Sequence, residues 1–380
     1  MATQTRSRRK PPGPKLPPGR IRVSEVIFKG FKAFREPFLL RVDPPVALPT
    51  PDVFVVAGPN GGGKTSALEG ICVALLLPAC TEREGPPFHL MRALETSFED
   101  PYEMESAVER LVSTGAPEAA IDCHMDTDHE PVSLRGTITR KMTLKGTADP
   151  ASRYTALHTG EPFAQELAVG GLRTLIACDL EPVIAPPVLY FHSYRKVQEA
   201  NPELSDLVGR GSAYARPGRP YRRAGPLVSR FKSAVVNALL AQQGSIEGLG
   251  DAERAQPSMA RLNELVEAFA GGKIEAVRTA GNRLDIRVRF PGVRESVPLD
   301  ALSSGQKEII STLFLIWEST RDRPSVVLID EPELHLNSEW HDDIIRWMTR
   351  LAPDNQYILA THSQRIAESV APGHVRWLEA

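Results

Sequence analysis

No stretch of this chain carries the roughly 18 consecutive apolar residues that a membrane-crossing helix requires. The longest greasy run, Ile71 to Leu77, stops at Pro78, so no membrane contact is expected. Cysteine is scarce, and Cys72, Cys80, Cys123 and Cys178 form no CxxC pair. That usage argues against zinc or a disulfide framework, and for buried, reduced thiols in a cytoplasmic protein. An excess of one charge is also lacking: the formal net charge is -2 and points to no class of partner. Internal repeats and heptads long enough for a coiled-coil arm are absent. What remains is a chain of 380 residues, 42% hydrophobic and 24% charged, the balance of an ordinary globular protein. That length builds one large domain, or one domain carrying a subdomain.

The charges are unevenly placed. Arg6, Arg8, Arg9, Lys10, Lys15 and Arg20 lie among prolines and glycines. Such a composition cannot bury a core and predicts a disordered basic tail over residues 1–19, without the apolar segment of a secretory signal. Strands are expected at Ile21 to Phe31, Phe38 to Val42 and Val53 to Ala57, with a helix from Lys64 to Leu77. Ala120 to Met125 and Val132 to Leu144 alternate and predict an antiparallel layer. Residues 150–226 are rich in proline and glycine. Helices are expected at Leu227 to Gln242, Met259 to Phe269, Gln306 to Thr320 and Ser338 to Leu351. Further strands are expected at Leu284 to Phe290, Val326 to Ile329, Tyr357 to Thr361 and Val375 to Leu378.

The segment Gly58-Pro59-Asn60-Gly61-Gly62-Gly63-Lys64-Thr65 fits GxxxxGK[ST] and lies between a predicted strand and a predicted helix. Glycines let backbone N–H groups curl around phosphates, and the helix N-terminus favours an anion. Lys64 is then the residue to reach the β- and γ-phosphates of ATP, Thr65 a ligand for Mg²⁺, and Ser66 the next residue along the same turn. Val326 to Ile329 leads into Asp330 and Glu331. Beside a phosphate loop, Asp330 is placed to hold Mg²⁺ and Glu331 to polarise the attacking water.

Leu302-Ser303-Ser304-Gly305-Gln306, just upstream of that acidic strand, resembles the LSGGQ signature of ABC ATPases. Asp330-Glu331-Pro332-Glu333-Leu334-His335-Leu336 resembles the SMC-like and OLD-like (overcoming lysogenisation defect) members rather than transporter ATPases, and Glu333 to Leu336 differs from the acidic motif typical of RecF-like members. Ile358 to Ser363 ends a strand in His362, like their switch histidine, and the resemblance covers about residues 20–80 and 295–380. It implies an α/β fold, the ABC-type P-loop NTPase head, with a parallel sheet core, an antiparallel β layer and a mainly helical insertion. The divisions implied are 20–149 for the N-terminal lobe, 150–272 for the insertion and 273–380 for the C-terminal lobe.

By the same resemblance, Ser303, Ser304, Gly305 and Gln306 would meet the γ-phosphate held by a second copy, in a homodimer or larger homo-oligomer, and His362 would report the loss of that phosphate. The family glutamine that bridges Mg²⁺ to the γ-phosphate has no clear counterpart; Gln165 and Gln198 are candidates by position. Arg195, in Tyr190 to Arg195, is a further candidate contact. Phe31 and Phe34 read as core residues. Arg210, Arg216, Arg219, Arg222, Arg223, Arg230 and Lys232, with Tyr214 and Tyr221, form a basic stretch that would suit DNA or a solvated loop. Related OLD nucleases carry a nuclease domain after the ATPase, whereas this chain ends soon after His362. A separate effector, a nuclease or toxin, is therefore expected. The implied role is the ATP-driven sensor or scaffold of an anti-phage system, with a RecF-like repair ATPase and a transporter subunit as alternatives.

Overall fold

A strand covered on both faces needs an unbroken apolar run, and four such runs meet at the centre of this molecule. The computed structural model describes residues 16, 19–42, 51–81, 101–140, 143–157, 164–178, 180–197, 202, 229–243, 252–280, 283–337 and 340–379. Its first half forms β1 (Ile21–Lys29), β2 (Phe38–Arg41), β3 (Asp52–Ala57), α1 (Lys64–Thr81), α2 (Pro101–Glu109), β4 (Glu118–Thr127), β5 (Val132–Thr139), β6 (Leu144–Asp149), α3 (Ala151–Ala156), α4 (Ala164–Ile176), β7 (Val183–Ala185) and β8 (Val188–Phe191). The second half forms α5 (Arg230–Gln243), α6 (Ala252–Ala270), β9 (Lys273–Ala280), β10 (Arg283–Arg289), β11 (Val297–Pro298), α7 (Ser304–Thr320), β12 (Val326–Asp330), α8 (His341–Leu351), β13 (Gln356–Thr361), α9 (Gln364–Glu368) and β14 (Val375–Trp377).

Strands β3, β13, β12 and β8 pair in parallel in that order, and every residue of each is buried. With β14 and the antiparallel β7 at its edges, the central sheet reads β14-β3-β13-β12-β8-β7. Successive side chains point to opposite faces, so the sheet divides its apolar residues between two cores. Phe54, Val56, Leu328, Ile358 and Tyr190 pack with α1 and the antiparallel layer β2-β1-β4-β5-β6. Val53, Val55, Ile329, Leu359 and Phe191 pack with α5, α6, α7, α8 and the smaller sheet β11-β10-β9.

The antiparallel layer is fastened to the central sheet by buried polar groups. Gln356 accepts from Val23 N at 2.8 Å and donates to Val23 O at 3.0 Å. Arg22 donates to Asp52 at 3.0 Å and to the Val42 carbonyl at 2.6 Å, while Arg20 reaches the carbonyls of Pro353 and Asp354. These bonds hold β1 across the amino ends of β3 and β13, the two strands whose carboxyl ends lead into the glycine-rich loop and the His362 loop.

Helix α1 runs four residues past its expected end at Leu77, straight through Pro78 to Thr81. A proline inside a helix costs about 3 kcal/mol. Leu75, Leu76 and Leu77 are all buried, and each contributes roughly 1.5–3 kcal/mol, so packing outweighs the break. The close approach beneath Pro78 depends on Gly146 of β6, where a Cβ would lie 2.4 Å from Leu77 C and Pro78 N.

Elsewhere the structure revises the sequence-based expectations. Val132 to Leu144, expected as one strand, is divided between β5 and β6, and β9 was not expected at all. The helix expected from Met259 begins at Ala252 and passes Pro257. Within 150–272, β7 and β8 join the central sheet, the described remainder being mainly helical. Cys72, Cys80 and Cys123 are buried as expected, and burial pushes the thiols of Cys80 and Cys123 up to about 12. Cys178 departs from the expectation: it is exposed. Of the tail expected over 1–19, residues 1–15, 17 and 18 lie outside the described residues, and Arg20, counted with its basic run, is instead buried against Pro353 and Asp354. No described helix is long and apolar enough to cross a membrane.

Gly146→Ala should insert a methyl against backbone that cannot give way, costing about 1–3 kcal/mol. The melting temperature should fall by several degrees while Gly115→Ala, which meets nothing within 4 Å but has φ 86, should cost less; thermal unfolding followed by circular dichroism distinguishes them.

Candidate nucleotide-binding site

The loop between β3 and α1 takes its form from three glycines with positive φ, Gly58 at 152, Gly61 at 83 and Gly63 at 87. A Cβ at Gly58 would lie 2.5 Å from the Leu378 carbonyl, and one at Gly63 would lie 3.1 Å from the Phe34 ring. Phe34 stacks on Phe38 at 4.6 Å and on Phe28 at 4.8 Å. Phe31 and Phe34 are buried, as core residues should be. Pro59, Asn60 and Gly61 are exposed, and Gly62, Thr65 and Ser66 are half-buried. Lys64 folds back over the loop and donates to the Pro59 carbonyl at 2.8 Å. This loop can present several N–H groups and one ammonium to an anion.

Two strands away from β3, β12 delivers its acids to the same edge of the sheet. Thr65 Oγ1 donates to Asp330 Oδ2 at 2.8 Å. Asp330 is fully buried, and its Oδ1 has no hydrogen-bond partner among the described residues. Burial pushes its carboxyl up to about 6 against the Thr65 hydrogen bond, with the nearby Glu331 and Glu69 charges raising it further. Thr65 and Asp330 are hard oxygen donors, and the second Asp330 oxygen is buried without a donor of its own. This set fits Mg²⁺, which is held by one or two carboxylates and completes its shell with water and phosphate oxygens. Among the described residues, no group of three or more His, Cys, Asp or Glu could hold a metal.

Glu331 follows with φ 48, a left-handed conformation uncommon for a residue with a Cβ. Its N–H donates to the Ala360 carbonyl at 2.8 Å. Its Oε1 lies 3.6 Å from His362 Nδ1, and Glu333 Oε1 lies 3.6 Å from the same nitrogen. Glu333 is the residue whose part in the site was not anticipated. It is buried, and its Oε1 accepts from Thr361 Oγ1 at 2.5 Å and from the backbone N–H groups of His362 and Ser363, both at 3.2 Å. One carboxylate thus holds the turn that presents His362. An acid following the proline of Asp330-Glu331-Pro332-Glu333 was the available signal.

Ser303 caps α7: its Oγ accepts from Gln306 N at 3.2 Å, and Gln306 Oε1 accepts from Ser303 N at 2.9 Å. Gln306 Nε2 also donates to the Phe269 carbonyl at 3.2 Å, so that side chain is occupied within the chain. Ser303 and Ser304 are exposed. Gly305 is buried, and a Cβ there would lie 2.4 Å from the His335 carbonyl. The signature and the turn after Glu331 are therefore packed against each other within one chain.

The structure places Arg195 inside the protein, not as an exposed nucleotide contact. Its Nη1 donates to the carbonyls of His192 at 2.9 Å and Asp330 at 2.8 Å. Its Nη2 reaches the Glu331 carbonyl at 3.4 Å and lies 2.9 Å from Glu308 Oε1 on α7. Gln165 lies in α4, which packs on α1 and β7, and Gln198 is outside the described residues. So are Arg210, Arg216, Arg219, Arg222, Arg223, Tyr214 and Tyr221. Lys232, from the same basic stretch, is fully buried and pairs with Asp300 at 2.7 Å.

Residues 225–368 match a family model described as "AAA domain, putative AbiEii toxin, Type IV TA system". A curated relative, the "Retron Vc95 probable ATPase" of Vibrio cholerae serotype O1 biovar El Tor, is 23% identical over 153 residues, 38% of this chain and 29% of that protein. The chain thus matches less than a third of that relative's length. Among solved structures, an Smc head bound to the C-winged helix domain of ScpA is similar with a TM-score of 0.49 at 14% identity, covering 92% of this chain and 91% of that one. The SMC head domain from Thermotoga maritima gives a TM-score of 0.43 at 14% identity, covering 92% of each chain.

Removing the Glu333 carboxylate should release the His362 turn without disturbing the sheet. In Glu333→Ala, the amides of His362 and Ser363 should exchange about tenfold faster or more, since three hydrogen bonds of about 1 kcal/mol each are lost, two of them from these amides. Amide exchange by mass spectrometry, with the β13 amides as an internal standard, measures this directly.

Proposed function

We propose that this chain is an SMC/RecF/OLD-like ATPase of the ABC type that hydrolyses ATP at composite sites formed by two copies. The observation that carries this reading is the Thr65–Asp330 hydrogen bond at 2.8 Å, with Glu331 and His362 on the next turns. The N–H groups of Gly61 to Thr65 and the Lys64 ammonium bind the β- and γ-phosphates. Thr65 and Asp330 would hold Mg²⁺, which when bound would supply positive charge to the phosphate oxygens. Glu331 orients a water for in-line attack on the γ-phosphorus and draws off its proton as the bond to the ADP oxygen breaks. His362 contacts the γ-phosphate, so its position depends on whether that group is still attached.

The exposed Ser303 and Ser304, with the Gly305 backbone at the α7 N-terminus, cap the γ-phosphate bound by a second copy. These contacts exist only while ATP is intact, so hydrolysis loosens the dimer, a ligand-driven shift between two states. Biologically, we read the protein as the nucleotide-dependent sensor or scaffold of an anti-phage system, controlling a separate effector. The retron ATPase relative and the toxin–antitoxin description of the matching family support that role. The burial of Lys232 against Asp300 gives no support to a DNA-binding surface at that residue.

Glu331→Gln should bind ATP, turn it over at least about 100-fold more slowly and double in mass when ATP and Mg²⁺ are added. Lys64→Ala should abolish the rise. Light scattering and phosphate release test both, and a protein that stays monomeric throughout contradicts the shared site. For the cellular role, cells carrying the protein with its neighbouring genes should plate phage poorly, and Lys64→Ala should restore plating.

A further inference from the structure

Arg195 stands where the two halves of a composite site meet within one chain. Its guanidinium is buried and touches three backbone carbonyls, those of His192, Asp330 and Glu331, at 2.9, 2.8 and 3.4 Å. Two of these belong to the acids that face the chain's own nucleotide. The remaining approach is to Glu308, 2.9 Å away and itself buried on α7. Glu308 lies one helical turn beyond Ser304, so α7 carries both the signature and the carboxylate that Arg195 meets.

We propose that Arg195 is a positioning residue coupling the two nucleotide sites of the dimer: engagement of one chain's signature with its partner's ATP moves Glu308, and Arg195 transmits that movement to the Asp330–Glu331 backbone of the first chain. The proposal rests on the composite-site reading. Three features favour transmission over a static pin. First, a buried ion pair is a weak stabilising device compared with apolar packing, because its desolvation cost rivals its attraction. Burial raises the Glu308 carboxyl, and Arg195 is the chief group opposing that shift. Second, the pair is incompletely satisfied. Arg195 Nε has no hydrogen-bond partner among the described residues, and Glu308 Oε1, though within ion-pair distance, is not aligned for a hydrogen bond. A small cavity of about 20 Å³, lined by Arg195, Glu308, Phe231, Ser311 and Thr312, leaves room beside the pair for displacement. Third, one acceptor is the carbonyl of Glu331, whose backbone has φ 48. A residue in a sparsely populated conformation responds to a small displacement of the group that holds it. The contact of Gly305 with the His335 carbonyl gives α7 a second point of purchase on the same turn.

The test compares Arg195→Met, Glu308→Met and the double variant, as full-length protein. Replacing both charges with apolar chains of similar length leaves no stranded charge and costs the three carbonyl hydrogen bonds of Arg195, while either single change strands a buried charge. In the double variant, the melting temperature should stay within a few degrees of wild type. Binding of a fluorescent ATP analogue to monomer should change less than twofold. Turnover per dimer should fall at least tenfold, and the Hill coefficient for ATP should drop from above one to one. Wild-type turnover and cooperativity in the folded double variant would overturn the proposal and leave the pair a structural pin. Wild-type protein that hydrolyses ATP without positive cooperativity, while turnover still rises with protein concentration, would overturn the coupling alone. Turnover independent of protein concentration and unaffected by Ser303→Arg would instead overturn the composite site itself.

Discussion

Asp330 is an acid placed where no water reaches it and where Thr65 supplies its one described side-chain hydrogen bond. A carboxylate in such a place is costly unless a cation or a proton accompanies it, and the rest of the site is organised around that demand. Its hydrogen bond to Thr65 ties the first turn of α1 to the end of β12, across the intervening β13. Glycine-rich loop and acidic strand are thereby held in one register by the fold itself, so a ligand bound between them would not have to meet that ordering cost.

Register of this kind needs a rigid base, and the parallel strands provide it. Each of β3, β13, β12 and β8 is buried along its length, and a one-residue slip would turn every side chain to the wrong core. The carboxyl ends of the four strands therefore arrive together, bringing Gly58, His362, Asp330 and His192 to one edge of the sheet. This is the edge at which open α/β sheets bind ligands.

Above that base sit two charged residues that touch mostly backbone. Glu333 gathers the donors of Thr361, His362 and Ser363, and Arg195 gathers the carbonyls of His192, Asp330 and Glu331. One fixes the turn bearing the histidine, the other the turn bearing the acids. Both act through geometry, so the sequence pointed to Arg195 only as a nucleotide contact and did not bring out Glu333.

The glycine-rich loop, the acidic strand and the His362 strand end were legible from residue order, because each is a local pattern: glycines that permit a tight loop, an apolar run that ends in acids, and a strand that ends in histidine. The same locality made most elements readable. It failed where packing overruled propensity, as at Pro78 and Pro257 inside helices, and where a weakly patterned segment, β7 and β8, proved to complete the central sheet. The sequence by itself determined which side chains could bind a phosphate or polarise water, since that chemistry belongs to the residues. Only the tertiary structure decided that Arg195 faces inward, that Glu333 holds the His362 turn and that Cys178 is exposed. Those outcomes depend on which carbonyls, donors and solvent distant segments bring to one place, and no local pattern encodes that.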